Sequence, residues 1–357
     1  MKNLNLLKCP LIILFLALAY SANAQTPVKP TDPRPAWAPD IKPEMEAVIE
    51  KLESFNAKPI PSLTAKEARK NPTPTTAVMA IIKENNIPVP PSMVDTVGKT
   101  IPVEGGKIHL RIYTPKNATS ALPVIVYYHG GGWVIADLDT YDASAKGLSE
   151  QVGAIVVSVA YRQAPEYKFP TAHNDSYAAY EWTLKNAASL NGDPKNIAVA
   201  GESAGGNLAA AVCIMARDKG AQMPVHQLLV YPIAGYDFNT PSYKEHAMAK
   251  PLSKEMMQWF FEKYLRSPED GKSPWISLVN ADLKGLPGAT IIRAEIDPLE
   301  SDGRMFEQKL EAAGVKVDGK TVQGVTHEFF GMAAVVPEAK EWQAYAAKKL
   351  KEAFNIQ

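Results

Sequence analysis

The sequence predicts an α/β fold: a mainly parallel central sheet with helices on both faces and a helical cap. Three observations predict it. From residue 95 onward, short apolar runs of strand length alternate with helical stretches. Several runs, such as 124–128 and 154–159, are apolar at nearly every position, as strands buried on both faces are. The stretch Gly201-Glu202-Ser203-Ala204-Gly205-Gly206 stands between an apolar strand, 196–200, and a run of good helix formers, 207–217. A serine at an abrupt strand-to-helix turn, with glycine two residues before and after it, presents its hydroxyl clear of the backbone.

In chain order, residues 25–43 are dense in proline and read as an extended leader. Residues 44–55 place Met45, Val48, Ile49 and Leu52 at helical spacing. Thr64 with Glu67 three residues on is a helix start. Residues 75–85, with Val78, Met79 and Ile82, form a further helical stretch, and Pro88, Pro90 and Pro91 end it. Residues 25–94 are therefore assigned to a proline-rich linker and amino-terminal cap helices. Strands follow at 97–103 and 107–113, joined through Glu104-Gly105-Gly106 as a hairpin, then at 124–128, 154–159, 197–200, 227–231, 289–294 and 315–322. Helical stretches at 139–152, 173–186, 203–219 and 301–313 separate most of them. The segment 237–274 is not needed for the sheet. It contains an amphipathic helix, 253–265, bearing Trp259-Phe260-Phe261, which reads as cap core ahead of an acyl pocket. Together with the amino-terminal helices it is placed above the strand ends as a cap, leaving 95–236 and 275–357 as the two parts of the core.

The 357 residues, 46% hydrophobic and 21% charged, suffice for one large domain with elaborations. Lys+Arg and Asp+Glu are equal at 38 each, which argues against a nucleic-acid binder. Residues 1–24 read as a secretory signal: Lys2 and Lys8, an apolar run at 11–20, and Ala22-Asn23-Ala24 before the cut. The run is short for a membrane span, so no stable membrane insertion is expected after cleavage, and the product is expected in a periplasm or outside the cell. Cys9 leaves with the signal. Cys213 is then alone, has no disulfide partner, and reads as a small buried hydrophobe.

In open parallel sheets, ligands bind outside the carboxyl ends of the strands. Four features fall at such ends. They are His129-Gly130-Gly131-Gly132-Trp133, the Ser203 turn, Glu295-Ile296-Asp297-Pro298-Leu299, and Gln323-Gly324-Val325-Thr326-His327. With Tyr161-Arg162-Gln163-Ala164-Pro165-Glu166, this set resembles the hormone-sensitive-lipase-like family of α/β-hydrolases, over residues 75–355. The resemblance implies an α/β-hydrolase fold and a serine carboxylesterase of short acyl chains, acting through an acyl-enzyme. Ser203 would be the nucleophile, His327 the base and then the acid, and Asp297 the group that orients the imidazole. Backbone N–H groups of Gly131, Gly132 and Ala204 would receive the oxyanion, with His129 and Gly130 supporting the loop. No cofactor and no metal are expected, and the expected partner is a small ester; a homodimer is compatible with the chain. Three positions depart from the family pattern: Glu202 where aspartate is common, Gln163 where leucine is usual, and Glu328 where glycine is frequent.

Competing assignments share these residues. His109, His173, His226 and His246 rival His327 as base, and Asp302 rivals Asp297 from one helical turn further on. Gly130–Gly132 as a phosphate cradle lacks a following Lys-Ser/Thr, and His327-Glu328 lacks the second histidine of a zinc site. A non-catalytic small-molecule receptor on the same fold is one alternative function. A deacetylase or amidase acting on acetylated sugars or amides is another.

Overall fold

Threonines and prolines set where the first helices begin. The computed structural model describes residues 28–116 and 118–356, so the signal assigned to residues 1–24 lies outside the described residues. Pro43 opens α1 (Pro43–Ser54), in the first turn where its missing N–H costs nothing. Thr64 caps α2 (Ala65–Ala68) by accepting from the Glu67 N–H, while Glu67 accepts from the Thr64 N–H at 2.9 Å. Thr73 and Thr76 repeat that reciprocal cap ahead of α3 (Pro74–Glu84).

Next come β1 (Val94–Val103), β2 (Gly106–Pro115), β3 (Leu122–Tyr128), α4 (Asp142–Val152), β4 (Ile155–Ala160), α5 (Thr171–Asn186), β5 (Gly192–Glu202), α6 (Ala204–Asp218) and β6 (Gln227–Val230). The inserted segment supplies α7 (Pro241–Glu245) and α8 (Lys254–Tyr264), and the chain closes with β7 (Ala289–Ile296), α9 (Glu300–Ala312), β8 (Val317–Thr326) and α10 (Pro337–Phe354). All eight strands join one sheet in the order β1-β2-β4-β3-β5-β6-β7-β8. β1 pairs with β2, and β2 with β4, antiparallel; every later pairing is parallel. This is an α/β-hydrolase sheet.

The uniformly apolar strands are buried on both faces. Val124, Val126 and Tyr128 of β3 join one core with side chains of α5, α6, α8 and α9, whereas Ile125 and Tyr127 join the other with α1, α3, α4 and α10. The amino-terminal block thus divides. Its α1 and α3 bury Met45, Val48, Val78 and Ile81 in the second core, while Ala65 and Ala68 of α2 enter the first. Both parts meet the insertion: the Trp259 indole N–H donates to the Leu63 carbonyl at 3.2 Å, and Lys250 pairs with Glu53 of α1. α10 buries Ala339, Gln343, Ala346, Ala347, Leu350 and Phe354. No helix among the described residues is long and apolar enough to cross a membrane.

Candidate active site

The strand-to-helix turn between β5 and α6 is closed by backbone contact. A Cβ on Gly205 would lie 1.9 Å from the Tyr128 carbonyl oxygen, and one on Gly201 would lie 2.1 Å from the carbonyl oxygen of Gly205. Nothing larger than hydrogen fits at either place. Ser203 itself takes φ 56° and ψ −120°, a region that L-residues enter only under strain. Its N–H is satisfied by the Val230 carbonyl at 2.9 Å, and its own carbonyl accepts from Asn207 at 3.1 Å.

Two residues separated widely along the chain meet this serine. The His327 Nε2 lies 2.8 Å from Ser203 Oγ, and its Nδ1 lies 2.6 Å from Asp297 Oδ2. An ionised carboxylate only accepts, so Nδ1 carries the proton and Nε2 is left to accept from the serine hydroxyl. All three side chains are buried. The second oxygen of Asp297 accepts from the Leu299 N–H at 2.9 Å, which fixes the carboxylate plane. Burial alone would pull the His327 pKa down. The adjacent Asp297 carboxylate, aided by Glu328 and Glu202, more than offsets it, and the net pKa is raised.

Asp302, the rival carboxylate, serves elsewhere. Its Oδ2 accepts from the N–H groups of Ala234 and Gly235 at 3.0 and 2.9 Å, and burial raises its pKa to about 7. The competing histidines are likewise occupied or remote. His173 is bound by Tyr264 and Asn207, and His226 by Thr290. His109 lies exposed on β2, and His246 follows α7.

The glycine loop after β3 presents open donors. Gly131 and Gly132 have φ of 95° and 58°, and no acceptor among the described residues takes the N–H of Gly131, Gly132 or Ala204. Side chains around the loop fix its path. His129 stacks on Tyr161 with ring centroids 4.4 Å apart, and its Nδ1 meets the Gly130 carbonyl at 2.8 Å. Burial lowers the His129 pKa to about 4, so the ring is neutral. The Tyr161 hydroxyl donates to the His129 carbonyl at 2.8 Å, and the Ala164 N–H to that of Trp133 at 2.9 Å. Arg69, beside α2, donates to the carbonyls of Val134 and Ala164 at 2.8 and 2.6 Å and to both oxygens of Glu166. From α8, Tyr264 stacks on Trp133 at 4.6 Å, and Phe260 packs so closely on Gly132 that a Cβ there would meet the ring at 2.2 Å. Arg69 and Tyr264 are positioning residues that no sequence motif announces. An isolated arginine beside a four-residue helix, and a tyrosine in an amphipathic one, carry no local signal. Among the described residues no group of three or more His, Cys, Asp or Glu is placed to hold a metal.

With this geometry in view, comparison with known proteins is decisive for the family. The α/β-hydrolase fold family matches residues 125–331. The chain belongs to the hormone-sensitive-lipase-like α/β-hydrolases. It is 42% identical over 252 residues to carboxylesterase NlhH of Mycobacterium tuberculosis, covering 70% of this chain and 79% of that one. It is 31% identical over 324 residues to an ethyl acetate hydrolase of Pseudomonas putida, covering 87% and 99%. The crystal structure of a thermostable esterase from Pseudomonas putida superposes with a TM-score of 0.82 at 33% identity, over 90% of this chain and 99% of that one.

The three departures from the pattern of this hydrolase family each have a local partner. Gln163 donates to the carbonyls of Ile135 and Ala136 at 2.8 and 2.9 Å, tying down the chain just beyond the glycine loop. Glu202 is buried and accepts from the hydroxyls of Tyr127 and Tyr231; burial raises its pKa to about 7 against the pull of both phenols. Glu328 accepts from the Tyr141 hydroxyl at 2.5 Å.

Proposed function

We propose that this hydrolase is a serine carboxylesterase that cleaves short-chain acyl esters through an acyl-enzyme. The observation that carries the reading is the continuous hydrogen-bonded line from Asp297 through His327 to Ser203. A serine hydroxyl is nearly inert alone. In the proposed reaction, His327 Nε2 takes the Ser203 proton as Oγ bonds to the ester carbonyl carbon. The carbonyl π electrons move onto oxygen, where the N–H groups of Gly131, Gly132 and Ala204 receive the charge. Asp297 holds the proton on Nδ1 and stabilises the imidazolium. Collapse then breaks the bond to the alcohol, which leaves with the proton from Nε2. Water, deprotonated by the same nitrogen, releases the acid and restores Ser203. Carboxylesterase and ester-hydrolase names among the relatives support the reaction class. The short-chain preference rests on the family resemblance. Export after cleavage behind Ala24 belongs to the same proposal and rests on the pattern of the first 24 residues.

Ser203→Ala tests the reading with p-nitrophenyl butyrate as substrate. Turnover is expected to fall by about 10⁶-fold, the scale seen when such a nucleophile is removed. A fluorophosphonate probe is expected to label the wild-type chain and not the variant. Retained turnover in Ser203→Ala, or an unlabelled wild-type chain, would reject the serine mechanism, and the second outcome would favour a receptor. Falling rates from acetate to dodecanoate esters would support the short-chain preference, and rising rates would overturn it.

A further inference from the structure

Glu328 has three features that the reaction as described does not use. It takes φ 70°, a left-handed conformation that glycine enters freely and glutamate does not. Its carboxylate accepts from the Tyr141 hydroxyl, and its Oε1 lies 3.9 Å from the Nε2 of His327. Its side chain keeps 20% of its exposure, whereas the His327 side chain keeps 3%. A strained backbone therefore holds a carboxylate at the edge of the nitrogen that handles both proton transfers.

We propose that Glu328 is a positioning residue for His327. Its carboxylate, anchored by Tyr141 on the Nε2 side of the ring, opposes Asp297 on the Nδ1 side, and together they stabilise the imidazolium formed in each half-reaction. This rests on the serine-esterase reading above. The surroundings favour it. His327 is faced by Asp297 from the end of β7, by Glu202 from the elbow and by the Tyr231 ring at 4.4 Å. Glu328 is faced by His327, Tyr141 and Asp297, and its charge reaches Glu202, Tyr127, Tyr161 and Tyr231. No lysine or arginine pairs with Glu202 or Glu328 among the described residues, so His327 is the cation nearest to hand when it gains a proton. Burial and the neighbouring Asp297 raise the Glu328 pKa, and the facing histidine and the Tyr141 bond offset only part of that rise. Tyr141 also links this carboxylate to the glycine loop, since its hydroxyl fills the space where a Cβ on Gly130 would stand.

The test is the pH profile of kcat/KM for the full chain with Glu328→Gln, a neutral side chain of the same length. His327 must be neutral to accept the serine proton, so activity falls as pH drops through its pKa. Removing a nearby negative charge lowers that pKa, and the acid limb is expected to move to lower pH by on the order of one unit. The plateau is expected to fall about two- to tenfold, in kcat rather than KM, because the imidazolium is less stabilised. Glu328→Gly suits the left-handed backbone and also lacks the charge. It is expected to show the same displacement even where glutamine packs poorly against Tyr141. A merely structural role would lower activity in either variant without moving the limb, and an unmoved limb in both overturns the proposal. Ser203→Ala measured alongside keeps the two ideas apart. If that variant is active, the serine mechanism fails; if it is inactive and the limbs still coincide, only the role of Glu328 fails.

Discussion

The elbow after β5 and the helix α8 laid over the glycine loop hold one site by different means. At the elbow, backbone meets backbone: Gly205 against the Tyr128 carbonyl, Gly201 against the Gly205 carbonyl, Ser203 in a strained conformation. Over the loop, side chains meet backbone and one another: Phe260 on Gly132, Tyr264 on Trp133, Arg69 on the carbonyls of Val134 and Ala164. Backbone contacts at this distance admit one residue type. Side-chain contacts admit several residues that fill the same space or offer the same donors. The first arrangement fixes Ser203 and its turn; the second holds the glycine loop in place.

The sharpest way to break this contrast is Gly205→Ala. A methyl group 1.9 Å from a buried carbonyl oxygen forces β3 and β5 apart. The expected cost exceeds about 4 kcal/mol, so the variant is expected to be insoluble or to melt far below the wild type. A Gly205→Ala protein with unchanged melting temperature and activity would show that the elbow has slack. A smaller effect is expected on the other side. Arg69→Ala removes charged donors from two carbonyls and is expected to cost about 2 kcal/mol of stability and about tenfold in kcat, with slower fluorophosphonate labelling. Glu166→Gln, at the half-exposed end of the same arginine, should cost much less. Were Arg69→Ala silent in both melting and turnover, the covering residues would be only a roof.

A third effect, visible only as a pH dependence, separates side chain from backbone within the elbow. Glu202 has an ordinary carboxyl pKa when unfolded and about 7 when buried. A raised folded pKa contributes stability that is complete below the unfolded value, near 4.5, and is lost as pH rises through about 7. Glu202→Gln abolishes that dependence, so its stability relative to wild type is expected to improve by roughly 3 kcal/mol between acid and mildly alkaline pH. Asp302, with a pKa raised to about 7, keeps part of the slope in both proteins. Parallel stability curves for the two across that window would mean that the Tyr127 and Tyr231 hydroxyls hold Glu202 ionised throughout.

These contrasts explain what was legible in the sequence. The central strands β3, β4, β6 and β7 and the end of β5 were readable because burial on both faces leaves a nearly unbroken apolar run in each, whereas β1 and β2 were readable from alternation and the glycine turn between them. The glycine motifs could be read because backbone packing excludes every other residue there, so geometry leaves a mark on composition. Arg69 leaves none: any surface arginine looks the same until the carbonyls it serves are folded beneath it.

By itself, the sequence determined the α/β class and the glycine-flanked serine between strand and helix, which follow from local sterics and from the period of burial that short stretches encode. Its resemblance to a known family added the hydrolase class and the candidate acid and base. Only the tertiary structure shows that Asp297 and His327, rather than Asp302 or another histidine, meet beside Ser203, because that depends on which strand ends lie side by side. It also decided that Glu328 stands against His327 with Tyr141 behind it. A hydrogen bond between residues 187 positions apart is set by how the sheet is ordered and how β8 ends, and neither neighbour's immediate sequence records it.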